Sequence, residues 1–492
     1  MNMALVKLEL PAGVYSHGTD YQSSGRWHDS NLVRWEGKSI RPIGGWQVRH
    51  TEATTEPPRG ALVWLDNDHD PHIAMGDANA LYAITSGGTV TDITPTAGLA
   101  VGYADATEIV GYGGKVYGTG FYGIQRPTDG VLADATTWSM HNWGEYLIAC
   151  NSSDKTIYEY TLTGVAEPVA NAPSATSTIV TSERFLFALG AGGIPRKVQW
   201  CDREDNTAWT PAATNEAGDI ELQTNGELMG GLQVRGRTLL LTTTDAHIAT
   251  YNGPPTVYGF ERVGTACGTI SRLSGVAVSE GAFWMGQAGF FYFNGSSVEP
   301  INCDVHDRIF DDINRQQQSK VTVTHNSKYN EVWWFYPSEA SVENNRYVAY
   351  DYKENIWHIG AMDRTSACDA GVFTTPVWFD SNGNVYNHDL GHAYDGATPF
   401  VESGPMNIGN GDNVMHVTQM IPDEQTQGDV SAIFKTRFYP NSEERSYGPY
   451  SMTNPTSLRM TGRQVRVRLT GTELTNWRIG TMRIDVTQGG KR

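Results

Sequence analysis

The stretch from residue 321 to 359, VTVTHNSKYNEVWWFYPSEASVENNRYVAYDYKENIWHI, narrows what this chain can fold into more than any other. Apolar and polar positions alternate through Val321, Val323, Val332, Trp334 and Tyr336, and again through Tyr347, Ala349 and Asp351. A period of two belongs to a strand, whose successive side chains leave opposite faces of the pleat, whereas a helix repeats at about 3.6. Residues 325–330 offer a hairpin loop, Pro337-Ser338 ends a strand, and Lys353-Glu354-Asn355 makes a polar turn before Ile356-Trp357. The expected unit is an antiparallel sheet of roughly three or four strands, which buries too little to stand alone and must stack on others like it.

The rest of the chain supplies those others. From Gly60 to about Asp395, short apolar runs pair across Gly, Asn or Asp turns: 73–75 with 81–84, 115–117 with 121–122, 146–149 with 157–160, and 185–189 with 198–200. The series continues with 239–242 and 248–251, 283–285 and 290–293, 332–335 and 347–350, and 377–379 and 385–386. Units begin roughly 35 to 55 residues apart, the spacing of four-stranded blades in a β-propeller. Blades packed face to face leave only short edges, which removes the exposed-edge hazard such strands carry. The chain is therefore read as all-β: residues 61–395 form a degenerate β-propeller, six blades preferred and seven or eight left open.

The ends differ from the middle. Residues 1–60 are rich in Trp and Arg (Arg26, Trp27, Arg34, Trp35, Trp46), lack long periodic strands and cannot close a core, so they are expected to pack on the C-terminal platform domain and build it together with the C-terminal segment. Within them, residues 51–59 (TEATTEPPR) read as a Pro/Thr/Glu linker. After Gly396 the hairpin spacing is lost. Residues 429–438, 457–461, 464–470 and 477–487 read as strands of a β-sandwich-like platform domain (396–492), with Arg466 and Arg468 on one face and Val465, Val467 and Leu469 on the other. Residues 304–320 break the strand pattern. They predict a single amphipathic helix with Val305, Ile309 and Ile313 on one face and Asn302 or Asp304 as its N-cap.

Charge limits the partners. Lys+Arg 36 against Asp+Glu 54 gives a net charge of −18; phosphate backbones are held chiefly by cations, so sequence-specific nucleic-acid binding is not expected, although a nucleic acid could pass without being gripped. Five cysteines (Cys150, Cys201, Cys267, Cys303, Cys368) are scattered without zinc spacing and read as reduced thiols of a chain made in a cytoplasm, with one incidental disulfide as the alternative. The N-terminal residues lack a signal-peptide core, and no apolar run is long enough to predict a membrane span.

No assembled reactive centre is legible. Residues 118–123 match GxGxxG by letter, but no helix follows and two aromatics fill the loop, so a hairpin is the better reading. Asp66, Asp68 and Asp70 alternate as in a calcium loop, yet Pro71 stands where that loop needs Gly and Asp77 replaces the bidentate Glu. Residues 202–209 resemble the Asp-box turn of sialidase-type propellers without its Ser-x-Asp-x-Gly-x-x-Trp spacing, and a Trp-anchored turn is the plainer reading. Glycosidase chemistry needs two adjacent carboxylates; Glu280, Asp304, Asp351 and Asp395 are candidates only as any acid is. His69/His72 and His388/His392 lack a helical setting for zinc, and GxSxG, HExxH and P-loop motifs are missing. No catalytic, cofactor-binding or metal residues and no cofactor are assigned, and the chain is expected not to be an enzyme.

Three stretches resemble the tail hub or nozzle protein of short-tailed bacteriophages, the packaged-DNA stabilisation family: residues 297–301 running into the Ile309/Ile313 segment; residues 329–337 followed by 348–352 and Trp357; and the 463–485 block. Residues 205–218 and 239–242 fit the same family, so the likeness spans much of 200–492. It implies a propeller plus platform and a virion localisation. Six copies would close a ring below the portal and adaptor, contact other tail proteins such as a fibre or spike, and conduct double-stranded DNA during ejection. Six copies carry six times −18, about −108, a wall that would let phosphates slide. The alternatives kept open are a carbohydrate-binding or carbohydrate-degrading propeller of a tail and a soluble scaffold propeller.

Overall fold

The computed structural model describes residues 4–490 except 20–21, 86, 101, 112–125, 408–412 and 440–441. Seven four-stranded antiparallel sheets form the blades of a propeller: residues 61–92, 138–168, 177–221, 228–265, 275–301 and 322–361 build blades 1 to 6. Blade 7 takes Ser366–Cys368, Val377–Phe379 and Val385–His388 and completes itself with Trp46–His50 from the other end of the chain. The first strand of each blade lies beside the first strand of the next, and blade 7 returns to blade 1, so these inner strands ring an axis. Among the described residues the count is seven, one of the two numbers left open beside the preferred six. Seven of the paired runs expected from the sequence are the two middle strands of a blade, and the eighth, 115–122, lies outside the described residues together with the GxGxxG-like segment.

Seven hydrophobic clusters match the seven blade interfaces. The middle strands explain how. In Tyr146–Asn151, Leu147 and Ala149 point to the core shared with blade 1, and Ile148 and Cys150 to the core shared with blade 3. In Glu331–Tyr336, Val332, Trp334 and Tyr336 face blade 5 while Trp333 and Phe335 face blade 7. All six residues of that strand are buried. Alternation here separates two cores instead of core from solvent, which makes a continuous apolar run the right sequence for a strand covered on both sides.

The platform is a two-sheet sandwich made from both chain ends. One sheet orders Ala4–Leu8, Met482–Gln488, Met415–Ile421 and Thr456–Gly462. The other orders Trp27–Asn31, Phe400–Ser403, Gln464–Gly471, Val430–Arg437 and Arg445–Ser451, with Met406–Asn407 also on Gln464–Gly471. Val465, Val467 and Leu469 are buried between the sheets, and outward-facing Arg466 and Arg468 pair with Glu444 and Glu402. Residues 477–481 form only isolated bridges through Ile479, so the last strand starts at Met482. The sandwich core is continuous with the core between blades 5 and 6, joined where Val14 N–H donates to Trp357 O and Ser30 Oγ donates to Ile359 O.

Two further expectations change. Residues 51–59 are not a linker: Ala53, Thr54 and Arg59 are buried, Ala53 N–H donates to Gly383 O, and the segment threads from blade 7 to blade 1. The single helix over 304–320 is instead a short α1 (His306–Phe310) and a 3-10 turn, Arg315–Lys320. Asn314 breaks it, because its side chain accepts from Gln316 and Gln317 N–H and starts a new turn; the α1 cap is Val305, which offers no side-chain bond. Val305, Ile309 and Ile313 are nonetheless all buried in one core.

Candidate functional site

The inner strands all begin at one end of the axis, as the parallel bridge from Leu273 to Thr322 reflects for blades 5 and 6. Charged residues stand just before several of them: Arg59 before blade 1, Asp134 before blade 2, Glu227 before blade 4, Arg272 before blade 5 and Lys320 before blade 6. Local sequence places them there because a strand's first residue leaves a turn, where a long polar side chain can reach inward.

Some of their partners lie across the ring and others on the same or the next blade. Arg272 Nη1 is 3.1 Å from Asp134 Oδ2 and its Nη2 is 3.8 Å from Glu227 Oε1, so one guanidinium joins blade 5 to blades 2 and 4. Lys320 Nζ, its side chain fully buried, bonds Asp105, Glu343 Oε1 at 2.8 Å and Val342 O at 2.7 Å. Arg59 makes a two-pronged contact with Glu343, Nη1 at 2.8 Å, and donates to Ala104 O. Gln317 accepts from Ala106 N–H at 2.9 Å and returns a bond to Ala106 O at 3.0 Å, while Ser319 Oγ accepts from Ala135 N–H. Blades 5 and 2 are opposite in a ring of seven, so the axis mouth is bridged by salt links at this end. Cations sit deep and carboxylates outside: Asp105, Asp134 and Glu227 are each nearly half exposed, against 11 % or less for the three cationic side chains. The hairpin Thr107–Gly111/Arg126–Ala133 leaves and re-enters the blades at this mouth, pinned at its base by Gln317 and Ser319.

The residues considered from sequence do not converge. Asp66 Oδ1 accepts from Asp68 and Asp70 N–H and its Oδ2 faces His72 Nε2 at 2.8 Å, so the acidic run closes on itself; Asp77 caps a different turn through Asn79 and Ala80 N–H. In the 202–209 turn Trp209 is buried and donates to Asn206 O, and Asp205 is engaged by Thr207, a Trp-anchored turn. Asp304 pairs with Arg26, Asp351 accepts from Lys353 and Glu354 N–H, and Asp395 accepts from Trp46 Nε1. Glu280 lines a surface cleft with Glu299. His388 is buried against Trp378 and accepts from Arg364 Nε, and burial drives its imidazole far below its usual range; His392 contacts Tyr394 instead.

The mouth network was missed because its members stand up to about 280 residues apart (Arg59 and Glu343) and none sits in a local motif. Among the described residues, one group of three metal-capable side chains, His17, His306 and Asp307, lies elsewhere, beside blade 5. No described helix is long and apolar enough to cross a membrane.

No family model matches this sequence, and no curated protein does. Similar solved structures are propeller proteins. Virginiamycin B lyase from Staphylococcus aureus shares 8% identity over 70% of this chain and 99% of its own, with a TM-score of 0.43. The Pan2 WD40 domain of Neurospora crassa shares 10% over 72% and 95%, TM-score 0.38, and a putative gluconolactonase 8% over 76% and 97%, TM-score 0.35. Likeness at this level speaks to fold alone. The expectation that this chain is not an enzyme does not stand: two of the three bear enzyme names, and a sequence lacking familiar motifs gives no ground for the exclusion.

Proposed function

We propose that this chain is a ring-forming structural protein of a bacteriophage tail, a hub or nozzle whose copies close a hexamer below the portal and adaptor, retain the packaged DNA and conduct it on ejection. The observation that carries the reading is the union of a propeller with a platform woven from both chain ends, the architecture that the resemblance implies. The stretches that resemble the family coincide with structural strands: 329–337 covers Glu331–Tyr336, and 463–485 covers Gln464–Gly471 and enters Met482–Gln488.

Two physical points support it. The platform attaches on the side of blades 5 and 6, leaving blades 2 and 3 on the far side; a subunit with two unlike ends suits the head-to-tail contact that a closed ring requires. The bridged axis mouth means that DNA would run between copies and not through a propeller, along walls of a chain with net charge −18 that holds phosphate weakly. Virion partners, among them portal, adaptor and fibre or spike proteins, belong to the same proposal.

Native mass spectrometry of the purified chain is expected to give a hexamer of 54.0 kDa subunits, and electron microscopy of particles is expected to place it at the tail. A strictly monomeric species at micromolar concentration, together with its absence from purified particles, overturns the reading.

A further inference from the structure

His17 and His306 are far apart in sequence yet meet on one carboxylate. His17 Nδ1 lies 3.0 Å and His306 Nδ1 3.1 Å from the same oxygen, Asp307 Oδ1. The N-terminal segment is brought there by Ser16 N–H donating to Asp304 O and by Gly18 N–H donating to Asp307 Oδ2 at 2.8 Å. The second bond occupies one carboxylate oxygen and aims the other at both imidazoles.

The tautomer of His306 decides what belongs between these atoms. Its Nε2 lies 3.2 Å from the backbone carbonyl of Ala288. A carbonyl only accepts, so Nε2 carries the hydrogen and the neutral ring turns a bare lone pair at Nδ1 toward a carboxylate oxygen. Two lone pairs facing at that separation repel unless a cation lies between them. An imidazole that donates its remote N–H to a backbone carbonyl while its other nitrogen faces an acid is the outer-shell arrangement of metal-binding histidines. Bonds of about 2.0–2.1 Å in a tetrahedral shell hold ligand atoms about 3.3 Å apart, near the two separations seen here.

We propose that His17, His306 and Asp307 form a binding site for a divalent transition metal of the zinc class, which staples the N-terminal segment to α1. Two imidazoles and one carboxylate suit Zn2+ over Mg2+ or Ca2+, which take oxygen shells. Three protein ligands leave a coordination position open. It faces a cleft of about 360 Å3 lined in part by Tyr15, Phe290, Pro300 and Asn302, with room for water or a small anionic group.

The test uses the full chain and Zn2+ alone. Isothermal calorimetry is expected to give one site per chain, zinc is expected to raise Tm reversibly with EDTA, and Co2+ is expected to give the visible absorption of a four-coordinate nitrogen–oxygen site. His17→Gln, a half-exposed residue whose loss leaves the cores intact, is expected to weaken binding at least tenfold, as is Asp307→Asn, with circular dichroism unchanged. Zinc binding of equal strength in wild type and both variants, or no zinc binding at micromolar concentration, overturns the proposal.

Discussion

Glu331 sits inside the molecule with Arg34 Nη2 2.9 Å away, His358 at 3.4 Å, Trp333 Nε1 donating to it, and Arg34 stacked over Tyr329. Burial pushes its carboxyl up, but Arg34 and His358 outweigh that and hold it at about 2 against an ordinary 4.5. A carboxyl lowered on folding stabilises the native state fully above 4.5, and the contribution is lost as pH falls toward 2. The Tm gap between wild type and Glu331→Gln should therefore be constant near neutrality and close below pH 4.5; a gap independent of pH would show that the pair contributes nothing. Arg34→Met leaves the buried carboxylate without its partner and is expected to cost about 3–5 kcal/mol in denaturant titration. The cysteines make a second residue-scale case. All five are free, and burial raises Cys150, Cys201 and Cys368 to about 12 and Cys267 to about 11, with Cys303 pushed up further. At pH 8 they should be silent to a thiolate-selective reagent until denaturant is added, when five thiols per chain should react. Rapid reaction of the native chain would contradict that.

At the scale of elements, the strand Trp46–His50 closes the propeller. Trp46 Nε1 donates to Asp395 at 2.5 Å, its ring lies 5.3 Å from His388, and the Arg364 guanidinium stands 5.0 Å over it. Trp46→Ala is expected to lower stability by about 3–5 kcal/mol, the range for truncating a buried aromatic, measured by chemical denaturation. Gly76 has a different constraint: a Cβ there would fall 2.4 Å from the Trp138 ring, so Gly76→Ala should cost about 1–3 kcal/mol by displacing the tryptophan between blades 1 and 2. These two sites also mark how far sequence reasoning reaches. Middle strands such as Tyr146–Asn151 and Glu331–Tyr336 were legible because burial on both faces gives each a continuous apolar run, 147–150 and 332–336, and turn residues bound them. Inner strands such as Ser366–Cys368 and outer ones such as Glu167–Pro168 are too short or too mixed to carry a period, so blades could not be counted. The partner of Trp46–His50 is fixed by register with Val385–His388, which no local pattern records. The zinc-class site and the bridged mouth were hidden for the same reason: their chemistry is assembled from residues that a linear reading meets one at a time.

For the whole molecule, the shared core is the governing feature. Platform residues such as Val417, Phe434 and Trp477 belong to the same hydrophobic cluster as Phe290, Trp334 and Trp357 of blades 5 and 6. A body without a polar seam should melt as a unit, and calorimetry is expected to show one cooperative transition in which the calorimetric and van't Hoff enthalpies agree. Two resolved transitions would mean that platform and propeller are energetically separable.

The wrap-around seal of blade 7 also dictates a timetable for biogenesis. About 340 residues separate Trp46 from the strand that receives it, so blade 1 emerges from the ribosome long before the circle can shut, and the closure entropy of that long loop is met only once His388 has been made. A nascent chain held short of His388 would present an unsealed arc with one raw apolar face at each tip, the form in which this protein would most need a chaperone.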